Sequence, residues 1–181
     1  MKHFKNFKTC VYCTAQTLAS LDETTLARDY AYLEKYVGID KVYLETYRDG
    51  TWVSIDHMKM IQNFFKEHGV EIAGGITTVT PPLEKDDVKR QRLFQTFCYS
   101  NEAMRTYLKK IVTYTAELFD EIILDDFFFT SCTCDDCLMM YGDRVSKISS
   151  IPASAWMFKS IGLERSRLKI PMMDFASMKY L

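Results

Sequence analysis

The chain has 181 residues, of which 48% are hydrophobic, and this composition is typical of a protein that buries a substantial core. Its 23 basic and 24 acidic side chains leave a formal net charge of -1, so no overall field favours nucleic acid or an anionic membrane surface. No segment approaches the ~20 apolar residues that span a bilayer, and the amino terminus lacks the apolar centre of a secretory signal. We therefore expect a soluble, cytoplasmic protein with neither nucleic-acid nor membrane partners.

β-prone runs alternate with helical patterns up to Leu124, which predicts parallel βαβ units. Four runs rich in β-branched, aromatic and aliphatic residues predict strands at residues 10–14, 41–47, 70–79 and 121–124. Between these runs, apolar residues recur at spacings of three and four, which predicts helices capped by Asp22 (or Ser20), Ser54 and Asn101. Residues 48–50 predict a turn after the second strand.

Two architectures fit four parallel units, a closed (β/α) TIM-type barrel and an open doubly wound sheet. No glycine-rich phosphate-binding turn follows the first strand, which favours the barrel. A complete barrel usually takes ~250 residues, so we predict a partial barrel of about four to five strand–helix units, with residues 1–144 as its amino-terminal part. Residues 145–181 have little periodicity, and Pro171 interrupts a doubtful fifth strand at residues 169–174. We expect a divergent or truncated continuation there.

The carboxyl ends of parallel strands share one face of such a fold, so polar residues at these ends are the candidates for a functional site. These candidates are Thr14 and Gln16, then Glu45, Tyr47, Arg48 and Asp49, then Thr77 and Thr78, then Asp125 and Asp126.

Asp125 and Asp126 follow three aliphatic residues and precede three phenylalanines. A carboxylate at the border of an apolar region can act as a nucleophile or as a general acid or base, and Phe127 can stack against a sugar ring. We predict both aspartates as catalytic candidates. The alternative is that one of them caps the following loop while the other pairs with Arg48.

Glu45, Tyr47 and Arg48 form the second candidate cluster. An acid and a guanidinium together can bind hydroxyls or position a carboxylate, so we predict these residues to bind substrate. A salt bridge between Glu45 and Arg48 is an equally good interpretation. The adjacent Gly74 and Gly75 allow close approach of a ligand or a helix, and packing is the favoured reason.

Cys132, Cys134 and Cys137 place three thiols within six positions, a density that suits a structural zinc ion. Such a site wants four protein ligands, and the sequence leaves the fourth open between Asp135, Asp136, Cys98 and a residue of another chain. Free thiols in a loop are the alternative.

Cys10 and Cys13 have the spacing of a redox motif, but they lie inside a predicted strand and not at a helix start, so we predict core positions for both. The three histidines, His3, His57 and His68, lie away from the predicted strand ends. A histidine-based nucleophile triad is therefore poorly supported.

Three segments, residues 41–50, 72–77 and 119–137, resemble the amino-terminal part of uncharacterised bacterial glycoside-hydrolase-like TIM-barrel proteins. In similar barrels of the α-galactosidase and α-glucosidase type, the fourth strand ends in an aspartate nucleophile and a later strand supplies the acid. The resemblance therefore implies Asp125 or Asp126 as the nucleophile. After Arg144 the sequence departs from the family pattern, so the resemblance does not locate the second carboxylate.

The hypothesis that follows is a glycoside-hydrolase-like domain that acts on or binds carbohydrate, with one catalytic carboxylate present. One alternative is a noncatalytic carbohydrate-binding or zinc-stabilised scaffold. Another is a truncated, inactive product, whose exposed barrel edges would favour self-association. Whether the chain is an enzyme stays open at this stage.

Overall fold

The computed structural model describes residues 4–77, 98 and 100–125 of the chain. Within these ranges it contains, in chain order, β1 (Cys10–Cys13), α1 (Ala15–Ser20), α2 (Glu23–Tyr36), β2 (Lys41–Glu45), β3 (Tyr47–Arg48), β4 (Thr51–Trp52), α3 (Ile55–Glu67), β5 (Glu71–Thr77), α4 (Glu102–Leu118) and β6 (Ile122–Asp125). The predicted fifth strand and the predicted boundary at residue 144 lie outside the described residues.

Four strands form one parallel sheet in the order β1, β2, β5, β6. The order of these strands across the sheet is therefore the same as their order along the chain. The α/β class and the parallel βαβ units are thereby confirmed. This sequential order suits a barrel, because in the common doubly wound orders the strand sequence reverses within the first four strands. The described sheet is open, since β1 and β6 each pair on one side only, and barrel closure stays a prediction.

One face of the sheet packs against the helices. The side chains of Val42, Leu44 and Ile122 are buried there together with apolar residues of α3 and α4. Gly74 lets α4 approach closely, since a Cβ atom at this position would lie 2.8 Å from both the Phe119 ring and the Thr115 methyl group. Close packing of α4 therefore explains the glycine at position 74, which is the interpretation that the sequence favoured.

The predicted helix starts are observed as N-caps. Asp22 forms a capping box with Thr25, and the side chains of Ser54 and Asn101 accept hydrogen bonds from the third helical residue of α3 and α4. The six-residue helix α1 was not predicted, because it is too short to show helical periodicity. None of the helices in the described ranges has the length and apolar character needed to cross a bilayer.

A small hairpin, β3–β4, follows β2 at its carboxyl end. Asp49 and Gly50 form its two-residue turn with φ angles of +50° and +81°, which is the geometry that matches the twist of a hairpin. This confirms the predicted turn. The hairpin is anchored by Tyr47, which is fully buried against the rings of Trp52 and Tyr107. The anchoring fixes the position of Arg48, the last residue of β3.

Candidate functional site

The carboxyl ends of the four parallel strands bring polar side chains to one edge of the sheet. Side chains alternate between the two faces of a strand, so the neighbour of Gly74 faces away from α4. Gly75 indeed faces Tyr12, because a Cβ atom at Gly75 would lie 2.9 Å from the Tyr12 hydroxyl. Glu45 pairs in register with Gly75, and Thr77 pairs with Asp125. These residues therefore share the face of the sheet opposite the one that packs against α4.

Glu45 is the centre of a buried hydrogen-bond network. Its Oε1 atom accepts a hydrogen bond from the Tyr12 hydroxyl at 2.8 Å, and its Oε2 atom accepts one from the Ala15 backbone N–H at 2.7 Å. The Nε of Arg48 donates to the same two oxygens at 3.1 and 2.8 Å. Because Glu45 is 0% exposed, both oxygens are fully occupied within the protein. The salt bridge, one of the two interpretations left open by the sequence, is what the structure contains.

Arg48 connects this network to the end of the fourth parallel strand. Its Nη2 atom lies 3.9 Å from Oδ2 of Asp125, whose side chain is 46% exposed. The hydrogen bond to Glu45 raises the pKa of the Arg48 guanidinium, so this group stays charged between the two carboxylates. Asp125 is thus a half-exposed carboxylate beside a fixed positive charge. The predicted alternative, in which one aspartate pairs with Arg48, therefore applies to Asp125, at a distance of 3.9 Å.

Tyr12 supports the network from β1. Burial, together with the charge of Glu45, raises the pKa of the Tyr12 hydroxyl well above its usual range. The hydroxyl therefore keeps its proton and donates a hydrogen bond to Glu45. The sequence indicates that Tyr12 lies in a strand but not that it belongs to the site, because strand alternation alone does not reveal which carboxylate a side chain will meet.

Tyr47 has no surface for a ligand. It is 0% exposed, and its hydroxyl accepts a hydrogen bond from the Gly50 backbone N–H at 3.1 Å. Burial raises the pKa of this hydroxyl above its usual range as well. Of the residues predicted to bind substrate, Glu45 and Tyr47 are therefore interior groups that hold the site together, whereas Arg48 reaches its open side.

Several predicted site residues lie outside the described residues: Asp126, Phe127, Cys132, Cys134 and Cys137. The catalytic role of Asp126, the stacking role of Phe127 and the zinc site stay predictions. Within the described ranges, no cluster of three or more His, Cys, Asp or Glu side chains has the arrangement of a metal site.

Cys10 and Cys13 do not form a redox pair. They lie three positions apart in one strand and so point to opposite faces. Cys13 packs against the core and burial raises the pKa of its thiol to about 11, which is the opposite of an activated thiolate. Cys10 is exposed, so the prediction of core positions is right for Cys13 and wrong for Cys10.

Asp125 places a half-exposed carboxylate at the carboxyl end of the fourth parallel strand, which is the end where parallel βα folds carry their sites. Residues 1–148 match the family described as probable glycosyl hydrolase, catalytic domain, and the chain belongs to that family. The predicted glycoside-hydrolase-like family is thereby confirmed.

A curated relative from the archaeon Saccharolobus solfataricus, described as an uncharacterised protein, is 35% identical over 149 residues. The match covers 79% of this chain and 24% of the archaeal protein, so the chain spans about a quarter of its relative's length. The predicted bacterial distribution of the family stays a prediction. No solved structure matches the chain significantly.

Proposed function

We propose that the chain forms the amino-terminal part of the catalytic domain of a glycoside hydrolase and supplies one catalytic carboxylate from Asp125 or Asp126. The observation that carries this proposal is the position of Asp125. It is a half-exposed carboxylate at the carboxyl end of the fourth parallel strand, next to the guanidinium of Arg48. Family membership supports carbohydrate as the substrate class.

The architecture we propose is a TIM-type barrel. The sequential order of the four parallel strands supports it, and so does the packing of α4 against one face of the sheet at Gly74. In a barrel the opposite face becomes the interior. The ends of its strands then surround the substrate, which suits the convergence of Tyr12, Glu45 and Asp125 at one edge.

Glycoside hydrolysis generally uses two carboxyl groups, about 5–10 Å apart across the scissile bond. Glu45 does not fit the second role, because it is buried and both of its oxygens are occupied by Tyr12, Ala15 and Arg48. We assign the second carboxyl group to a segment outside the described residues. The distance between the two groups would decide whether the strand-end aspartate acts as a nucleophile or as the base that activates water.

Glu45 and Arg48 have a positioning role in this proposal. Glu45 fixes the guanidinium through Nε, and the terminal nitrogen Nη2 lies on the side of Asp125. A guanidinium held in this way orients the carboxylate and can also contact a sugar hydroxyl. Phe127 is proposed to stack against the apolar side of the sugar ring.

The test is the substitution of each aspartate by asparagine in the full chain, assayed on a panel of 4-nitrophenyl glycosides. Asp125→Asn or Asp126→Asn is expected to lower kcat by about 10²–10⁴-fold, because the amide can neither attack nor accept a proton. Asp49→Asn is the matched control: Asp49 is exposed in the hairpin turn, where asparagine tolerates a positive φ. Full activity of both strand-end variants would contradict the proposal.

A second candidate is a noncatalytic carbohydrate-binding scaffold, stabilised by zinc on Cys132, Cys134 and Cys137. One observation favours it: of Glu45 and Asp125, the two carboxylates that end described parallel strands, only Asp125 has exposed surface. This candidate predicts sugar binding and one zinc ion per chain without turnover. Calorimetric titration combined with metal analysis separates it from the hydrolase, and sedimentation tests whether exposed sheet edges cause self-association instead.

A further inference from the structure

Gln16 lies just after the carboxyl end of β1, in the first turn of α1, and its side chain is exposed. Its Nε2 atom donates a hydrogen bond to the backbone carbonyl of Arg48 at 3.3 Å. The side chain therefore connects the segment after β1 to the hairpin after β2. Both segments follow the carboxyl ends of parallel strands, where parallel βα folds carry their sites, so Gln16 belongs by position to the same site as Arg48.

The backbone that carries Gln16 is firmly held. Ala15, the residue before it, is 0% exposed and donates its N–H to Oε2 of the buried Glu45 at 2.7 Å. The helix α1 also contacts β2, β3 and β4. A side chain on such a base is already in place when a ligand arrives, so binding costs little conformational entropy of the chain.

The Gln16 amide is suited to a neutral ligand that carries hydroxyl groups. It has two N–H donors, one carbonyl acceptor and no charge, so it can donate to one hydroxyl and accept from another. The bond to Arg48 uses one of these donors. Because that bond is long and exposed, a ligand hydroxyl can replace it at little cost.

Gln16 is remote from the carboxylate at which cleavage is proposed. It follows β1, whereas Asp125 ends β6, and three strand spacings, about 14 Å along the sheet, separate these two strands. Arg48 spans this interval, since its carbonyl contacts Gln16 and its Nη2 atom lies 3.9 Å from Asp125. Two groups that act on one scissile bond are ~5–10 Å apart. A ligand that reaches both ends of the interval must therefore extend beyond one sugar ring.

We propose that Gln16 binds a hydroxyl group of a second sugar unit, so that the substrate is an oligosaccharide and not a single glycosyl group. The inference rests on the proposed hydrolase function. A contact remote from the scissile bond stabilises the bound substrate and the transition state equally, so it lowers KM without changing kcat. Gln16 is then a specificity residue for substrate length.

The test is steady-state kinetics of the full chain on 4-nitrophenyl glycosides of glucose and galactose, and of the disaccharides cellobiose, lactose and maltose, in both anomeric forms. Gln16→Met removes the amide and keeps the length of the side chain. Asn63→Ala is the matched control, because it removes an exposed amide from α3. Gln16→Met is expected to raise KM about five- to tenfold for the best disaccharide glycoside and less than twofold for the monosaccharides, with kcat unchanged. The control should match wild type on both.

A purely structural role for Gln16 gives a different result. If the amide only ties α1 to the hairpin, Gln16→Met changes the kinetics on both substrate lengths alike or on neither, and either outcome overturns the proposal. Thermal unfolding provides a second readout. We expect Gln16→Met to unfold within ~2 °C of wild type, because one exposed hydrogen bond contributes little to stability. A larger fall would make the residue a structural tie and would also overturn the proposal.

The outcomes separate this inference from the proposed hydrolase. Calorimetric binding of cellobiose, lactose or maltose that depends on Gln16 but occurs without turnover supports the subsite and contradicts the hydrolase. Turnover of disaccharide glycosides that is the same in wild type and Gln16→Met overturns the subsite and leaves the hydrolase standing. A wild type that neither binds nor cleaves any of these sugars overturns both.

Discussion

Replacing Glu45 by glutamine removes the charge at the centre of the strand-end network while keeping its shape. The amide nitrogen must take the place of one carboxylate oxygen. At Oε2 it would face two donors, the backbone N–H of Ala15 and Nε of Arg48. At Oε1 it would face Arg48 at the longer distance of 3.1 Å and the Tyr12 hydroxyl, which can rotate to accept. The second orientation is therefore the less costly one.

Even in that orientation, Arg48 loses its buried counter-charge. Hydrogen bonds to charged groups contribute ~1.5–3 kcal/mol, and breaking a buried ion pair by removing one charge costs ~3–5 kcal/mol. The Arg48 side chain is 24% exposed and keeps Asp125 at 3.9 Å, which reduces the cost. We expect Glu45→Gln to lower the free energy of unfolding by about 2–4 kcal/mol.

The assay is urea unfolding at pH 7 in a double-mutant cycle with Arg48→Met, where the coupling energy should exceed ~1 kcal/mol. Glu34→Gln serves as the control, because Glu34 accepts one backbone N–H, from Ile39 at 3.0 Å, and forms no comparable network. Its expected cost is about 0.5–1.5 kcal/mol. If Glu45→Gln costs less than the control, or if the two changes in the cycle are simply additive, the description of this network is wrong.

Three further predictions concern packing, thiol chemistry and metal. Gly74→Ala should lower the free energy of unfolding by about 1–3 kcal/mol, because its Cβ atom would lie 2.8 Å from the Phe119 ring; an unchanged urea midpoint would contradict this. Cys10 should react with iodoacetamide at pH 8 well before Cys13, and mass spectrometry that finds equal rates would refute the burial of Cys13. The pKa of the Cys13 thiol is about 11 in the folded chain against an ordinary 9.0, so the unfolded chain loses this proton at a lower pH than the folded chain. The free energy of unfolding of the wild type, relative to that of Cys13→Ala, should therefore fall as the pH rises from 9 to about 11. Metal analysis should find one zinc ion per full chain and its loss in Cys134→Ser, whereas zinc retained by that variant would contradict the predicted site.

The sequence alone indicated the four parallel strands and the three longer helices in their order, because these depend on local physical chemistry. Side-chain oxygens at Asp22, Ser54 and Asn101 cap helices through contacts three residues away. β-prone runs alternating with helical patterns require parallel strands. Since parallel strands end at one edge, the sequence also indicated that Glu45 and Asp125 would lie at the same edge of the sheet.

The roles of these two carboxylates were decided only by tertiary contacts. Glu45 and Asp125 both end strands, yet one is fully buried and the other half exposed, because Glu45 meets a hydroxyl 33 positions earlier in the chain, at Tyr12. Gly74 and Gly75 are likewise adjacent in the chain, yet Gly74 faces α4 and Gly75 faces Tyr12 on the other side of the sheet. The local pattern fixes which residues alternate along a strand. Only the packed sheet decides what each face meets, and hence that Glu45 is buried within the network while Asp125 keeps exposed surface.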